Sequence, residues 1–343
     1  VSQTLMTENT MGNSIITWET STNLNFGFDI NVLNNRLGLS YDWYTRETDD
    51  ILINLEAPSL LGIKPAISNA GKVRNRGWEL TVNWQDRINK DFSYNVGFML
   101  SDVTNKIVDL NGYKSPTSDL QARIEGEAID ALFGWKTLGI ADTQEKYEQN
   151  KDVMLTYNSN FSLGDIIIKD LNGDGKITED DKTVIGNQIP RYTFSFNLGF
   201  NYKALDFSAM FQGVGKVDGF LGRDVIEPLG SQTAMKEHYR DSFDPENQTT
   251  GKYYPRMTLD NRLNYANMSH WVQDASYLRL KNLQIGYTFK LAEYIPIERL
   301  RVYFSGQNLF TRTNYSVYAP ENKNNSASFP NVRVYSFGAS IIF

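Results

Sequence analysis

The chain has 343 residues, 41% of them hydrophobic, enough for one large β domain or two ordinary ones. A net charge of −6 without any dense Lys/Arg cluster excludes a nucleic-acid partner, and zero cysteines exclude disulfides, zinc thiolate sites and thiol catalysis. No apolar run reaches the roughly 18 residues of a transmembrane helix, and the mean hydropathy of −0.43 would suit a soluble protein, but membrane strands that alternate lipid-facing and lumen-facing residues also average out as polar.

Val1 opens the chain without an initiator methionine or signal peptide, which fits a processed product or a fragment. Residues 1–20 are rich in Thr and Asn, with Ile15, Ile16 and Trp18 as an apolar cluster. Nine segments then alternate apolar and polar residues with the period of two that a strand imposes. The first sets Leu24, Phe26, Phe28, Ile30 and Val32 against Asn23, Asn25, Gly27, Asp29 and Asn31, and the second sets Leu37, Leu39, Tyr41 and Trp43 against Arg36, Gly38, Ser40 and Asp42. Trp78, Leu80, Val82 and Trp84 mark the third, and Phe92, Tyr94, Val96, Phe98 and Leu100 the fourth. In the fifth, Tyr192, Phe194, Phe196, Leu198, Phe200 and Tyr202 alternate with Thr193, Ser195, Asn197, Gly199 and Asn201. The sixth runs from Leu205 to Gly213, the seventh from Tyr277 to Phe289 and the eighth from Leu300 to Phe310. The ninth closes the chain with Tyr335, Phe337, Ala339, Ile341 and Phe343 on one face.

Segments of roughly 9 to 13 residues suit tilted strands crossing hydrocarbon. Asn34-Asn35, Asn89-Lys90, Ala204 and a short stretch around Pro296 join them in pairs, while 49–75, 105–190, 218–275 and 311–330 separate the pairs. A soluble sandwich has no reason to gather every long connection at one end, and structureless loops beyond roughly 12–15 residues are uncommon inside compact domains. Tight periplasmic turns and long external loops are the asymmetry of an outer-membrane barrel. The chain therefore reads as all-β, an antiparallel transmembrane β-barrel segment of about 9–10 strands with long external loops. With Asn34-Asn35 taken as periplasmic, the count puts Phe343 at the periplasmic rim. Single-chain bacterial barrels have even strand numbers, so either residues 1–19 add a strand or, the preferred reading, the barrel continues in sequence absent here.

Trp18-Glu19, the Asn34-Asn35-Arg36-Leu37 turn, Tyr44 through Leu52, Asn69-Ala70-Gly71 and Asn75-Arg76-Gly77-Trp78-Glu79-Leu80 form a specific series. It continues through Gly186-Asn187-Gln188-Ile189-Pro190, Phe211-Gln212-Gly213, Asp274 to Leu283 and Gln307-Asn308-Leu309-Phe310. In this order, over nearly the whole chain, the series resembles the SusC/RagA branch of TonB-dependent outer-membrane transporters of the Bacteroidetes. The resemblance implies a barrel of roughly 22 strands plugged by an N-terminal domain, a TonB-contacting segment that draws energy from the inner membrane, and a SusD-type surface lipoprotein that closes over a glycan or peptide. Only the C-terminal barrel portion is matched, with plug, TonB-contacting segment and earlier strands missing. The implied function is thus part of an active importer that needs the rest of the barrel. A passive porin or an adhesin-like ligand-binding barrel is the alternative, and a soluble calcium-binding β module a third.

One motif carries explicit site chemistry. Asp170, Asn172 and Asp174 stand at positions 1, 3 and 5 of a calcium-loop template, Gly175 at 6, Lys176 with its carbonyl at 7, Thr178 at 9 with a hydroxyl or bridging water, and Asp181 at 12. Asp181 replaces the usual Glu, whose longer arm reaches bidentately, and Ile177 can pin the loop to a small core. Asp165 to Lys169 reads as a strand, so this is no full helix-loop-helix hand. Ca2+ in a structural role is expected, with an ion-free Asx-rich turn as the alternative, and Mg2+ is a poorer match because it retains water.

No enzymatic constellation is expected. His238 and His270 fall in no metal or triad spacing, and the acidic residues Asp49, Asp50, Glu145, Glu148 and Asp241 read as parts of solvated loops. Trp135, Tyr253, Tyr254, Trp271 and Tyr318 are the loop aromatics best placed to stack on a ligand, although packing within the loops is the expected role.

Overall fold

Asn34 and Asn35 adopt φ of 57° and 62°, the left-handed conformation that a tight hairpin needs to follow the strand twist. Their turn joins the first two of the long strands in a computed structural model, which describes residues 11–54, 66–112, 115–116, 118–228, 236–258, 262–291, 298–316, 319–323 and 331–343. Among the described residues, nine long strands form one sheet: β1 Thr20–Val32, β2 Leu37–Asn54, β3 Ile67–Asn89, β4 Phe92–Asp109, β5 Arg191–Tyr202, β6 Leu205–Lys216, β7 Tyr277–Lys290, β8 Arg299–Thr313 and β9 Val334–Ile342. Each pairs antiparallel with its neighbours in this order, a pure meander whose outer edges, on β1 and β9, are unpaired.

The short turns fall where the sequence places them. Asn89 accepts hydrogen bonds at its side chain from the N–H groups of Asp91 (2.8 Å) and Phe92 (2.9 Å), closing β3 to β4. Lys203, at φ 53°, closes β5 to β6 beside Ala204. Lys290 pairs with Arg299 across the next hairpin, whose Pro296 lies outside the described residues.

Two expectations are corrected. Several strands outrun their apolar patterns: β2 and β3 remain paired as far as Asn54 opposite Ile67, so much of 49–75 is strand rather than loop, with Asp49 opposite Thr20 of β1 and Asp50 in a bulge of β2 at φ 59°. Backbone hydrogen bonds need no apolar side chains, so pairing continues after the hydrophobic period stops. The second correction concerns Glu145 and Glu148, which lie not in a loop but on helix α1, Gln144–Leu155, whose start is capped by the Thr143 hydroxyl accepting from the Lys146 N–H.

The long connections build a second layer. Strands Lys182–Gly186, Ala131–Trp135, Gln121–Arg123 and Ser115–Pro116 form a small sheet in that order, and Thr137–Ile140 with Ile166–Ile168 and Asp218–Phe220 with Val272–Asp274 form two-stranded ladders. The close-packed core lies here. Trp271, Tyr265, Ile166, Leu221 and Ile226 are fully buried, whereas every residue of β1 is exposed. A single-sheet wall has no layer to pack against, so its apolar face stays open while the loops fold on themselves.

Candidate functional site

The alternation gives the sheet a polar face, and the register sorts it into rows running across the strands. Gly38, Asn83, Gly97, Asn197, Met210, Asn282 and Gln307 are successive partners from β2 to β8. Beside them run Gln85, Asn95, Gly199, Ser208, Gln284, Ser305 and Ser336. Glycine makes room for amide in the second row: a Cβ at Gly199 would lie 2.5 Å from Asn95 Oδ1. An open cavity of roughly 430 Å³ lies over Asn31, Asn83, Asn95 and Asn197. Such a surface offers donors and acceptors without net charge, which suits contact with polypeptide or sugar rather than with an ion. These residues were visible in the sequence as the polar half of each strand. Their assembly into rows required the register.

Above the wall the loops hold their own polar network. Asp165 is fully buried and accepts from Arg256 Nε (2.7 Å), Asn264 Nδ2 (2.8 Å) and the Ser162 N–H (2.8 Å). Arg279, 3% exposed, pairs with Glu321 of the β8–β9 connection and donates through Nε to Thr311 Oγ1 (2.9 Å). Sequence reading singled out neither group, because both partners are distant in the chain.

The aromatics pack as expected. Trp135, Tyr254 and Trp271 are buried in the loop core, and Tyr253 O–H donates to the His270 carbonyl at 2.9 Å. Tyr318 lies outside the described residues. His270 Nε2 lies 2.7 Å from the Tyr253 carbonyl and His238 Nε2 3.0 Å from that of Val225, and burial holds His270 below its ordinary pKa. Burial likewise pushes the Tyr239 phenol up to about 12, while its O–H donates to the Val225 carbonyl at 2.6 Å. These groups join loop segments to one another.

The structure brings the predicted calcium-type residues into one tight turn. Asp170 accepts from the N–H groups of Gly173 (2.7 Å) and Gly175 (2.9 Å), Asn172 from Asp174 (2.9 Å), and Asp174 from Lys176 (2.9 Å). Gly173 and Gly175, at φ 76° and 78°, reverse the chain as a left-handed position requires. Ile177 is buried in the loop core, and Thr178 caps the short helix Glu179–Asp181. Asp181 is fully buried and accepts from the N–H groups of Leu171 and Thr178, both at 2.8 Å. Burial alone would raise its pKa, but the bonds from Thr178, Leu171 and Asn172 prevail and hold it below the usual carboxylate range. Among the described residues, no three His, Cys, Asp or Glu side chains converge closely enough to grip a metal ion. In this geometry the carboxylates serve the turn's own backbone.

A meander of long strands, apolar on one face and polar on the other, with short and long connections in alternation, is the wall of a membrane β-barrel. Residues 3–309 match the family described as TonB dependent receptor-like, beta-barrel, and the chain belongs to it. Barrels of this family lie in the outer membrane, and the polar face lines the interior. The chain is 32% identical over 358 residues to TonB-dependent receptor P3 of Formosa agariphila, covering 96% of this chain and 35% of that protein. TonB-dependent receptor SusC of Bacteroides thetaiotaomicron is 24% identical over 340 residues, 96% of this chain and 32% of its own length. The fold superimposes on the RagAB peptide importer in its open-open state with a TM-score of 0.75 at 23% identity, covering 98% of this chain and 36% of that one. The chain thus spans about a third of the length of the relatives it matches.

Proposed function

We propose that this chain supplies the C-terminal part of the barrel of an active importer of bulky nutrients, glycans or peptides. The observation that carries the reading is the open meander itself. Two unpaired edges in lipid demand further strands, and the neutral amide rows suit an interior filled by polypeptide. The remaining strands and plug close the barrel, TonB acts through the plug, and a SusD-like lipoprotein closes over the external face. RagAB, a peptide importer, supports peptides as one cargo class. Short turns and Phe343 face the periplasm in this arrangement, and the long connections face outward.

Uptake of fluorescent oligopeptides and oligosaccharides by cells carrying the full-length receptor tests the reading. Uptake is expected to vanish when TonB is deleted, and a surface lipoprotein to co-purify. Uptake that persists without TonB would instead indicate a passive porin or ligand-binding barrel.

The turn at 170–181 is further proposed to take Ca2+ structurally, through Asp170, Asn172, Asp174, Asp181, the Lys176 carbonyl and Thr178. Its support is the ligand spacing and the lone pairs that carboxylate oxygens keep after accepting one N–H. Binding requires the carboxylates to draw inward from their present positions. Calorimetric titration of the full-length receptor with CaCl2 is expected to release heat that the double variant D170N/D174N lacks. Equal traces would leave an ion-free turn.

A further inference from the structure

The apolar face changes character abruptly at one level. Phe26, Trp43 and Trp78 are partners in one row across β1 to β3, which Asp102, paired with Arg191, completes on β4. The next row on the same face, two residues toward the long connections, reads Leu24, Thr45, Arg76 and Thr104, and the one after it Thr22, Glu47, Arg74 and Lys106. Two residues of strand rise about 7 Å, so cations begin within one side chain's reach of the tryptophans. Aromatic belts lie where hydrocarbon gives way to headgroups. Arg76 and Lys106 thus project from the lipid side of the wall at headgroup depth.

These two cations have no structural role in sight. Arg74 pairs with Glu47 (2.5 Å) and Arg191 with Asp102, but among the described residues neither the Arg76 nor the Lys106 side chain has a hydrogen-bond or ion-pair partner, and both are exposed. They stand diagonally across β3 and β4, a separation of about 7–8 Å that one phosphate can bridge with the reach of both side chains. An open groove of roughly 410 Å³ holds them together with Arg74, Arg191, Asn187 and one acid, Glu127.

We propose that this groove binds the phosphorylated headgroup of an outer-leaflet lipid, whose acyl chains lie on the Trp43–Trp78 face. The apolar floor directly below favours a lipid over free phosphate, since burying acyl chain there covers surface that is otherwise matched only loosely. The proposal rests on the orientation given above, with the long connections outside the cell.

The test uses the full-length receptor in mild detergent, with lipid retention read by native mass spectrometry. The probes are a monophosphorylated diglucosamine lipid, the same lipid without its phosphate, and inorganic phosphate. The phosphorylated lipid is expected to be retained about tenfold better than its dephosphorylated counterpart, and R76S/K106S to lower that retention about fivefold. Glu127→Gln is expected to raise it, a gain that misfolding cannot produce. Equal retention of both lipids, or full retention by R76S/K106S, overturns the proposal, as does complete competition by inorganic phosphate, which would mark a free-phosphate site. Labelling of an Arg76→Cys receptor in intact cells with a membrane-impermeant maleimide, against the unsubstituted receptor, separates the two readings. Labelling without phosphate-dependent retention overturns the lipid site alone, while labelling only after outer-membrane rupture overturns the orientation and the outer-leaflet placement with it.

Discussion

Asp181 shows how one carboxylate can organise a turn. It is fully buried, and its oxygens serve the backbone of Leu171, Asn172 and Thr178, so removing it strands several N–H donors at once. Asp181→Ala is expected to destabilise the loop layer by on the order of 3 kcal/mol, seen as faster proteolysis and hydrogen exchange in 166–186 with the wall strands unchanged. Its folded pKa is depressed, so its contribution is complete above the ordinary carboxylate value of 3.8 and is lost as pH falls through the lower folded value. Protection of this turn should therefore survive mild acid and fail only in strong acid. His270 titrates with the opposite chemistry but the same direction. Burial lowers its pKa below the ordinary 6.5, so the unfolded chain binds the extra proton first, and its contribution is complete above 6.5 and declines as pH falls toward the folded value. Weakened protection around Tyr253 and Trp271 in that range, abolished in His270→Gln, would confirm the assignment. The spacing of Asp170 to Asp181 was legible in the sequence because a turn is local. That Asp181 would spend itself on backbone N–H groups was not, because it depends on how deeply Ile177 and its neighbours are buried.

Single elements of this wall are held in register by turns and by pairs between distant segments. The β1–β2 turn needs left-handed backbone at Asn34 and Asn35, which asparagine tolerates and a β-branched residue does not. Asn35→Val is expected to cost about 1–2 kcal/mol, measured as a lowered urea midpoint for the refolded receptor, while Asn35→Gly stays near the original. At the other end, Arg279 and Glu321 fasten the β8–β9 connection to the wall. Glu321→Gln leaves a nearly buried guanidinium without its anion, and a loss of roughly 2 kcal/mol is expected, with increased exchange in 319–323. Turn chemistry was readable from Asn-Asn and Asn-Lys pairs. The Arg279–Glu321 bond was not, because 42 residues separate its partners and no local pattern couples them.

At the scale of the molecule the sheet cannot be complete in lipid. The thirteen residues of β1 are exposed throughout, and among the described residues both outer strands present unpaired N–H and C=O groups. A polypeptide limited to residues 1–343 is expected to aggregate or resist refolding in detergent, whereas the full-length receptor should give a heat-modifiable folded band on electrophoresis. A soluble, monomeric 343-residue product would refute the wall assignment.

The alternation of Phe, Tyr, Trp and Leu with Asn, Ser and Gly determined by itself that strands form, that they pair as a meander and that one face meets lipid, because period-two patterning and short turns act between residues close in sequence. The same locality exposed the calcium-type spacing. Only the tertiary structure decided where pairing stops, which glycines yield to which asparagines across the wall, and that the long connections pack a core around Trp271 and Asp165 instead of remaining loose. It also set Lys106 of β4 diagonally beside Arg76 of β3. Those outcomes depend on register and on contacts between residues far apart in the chain, which no local period encodes.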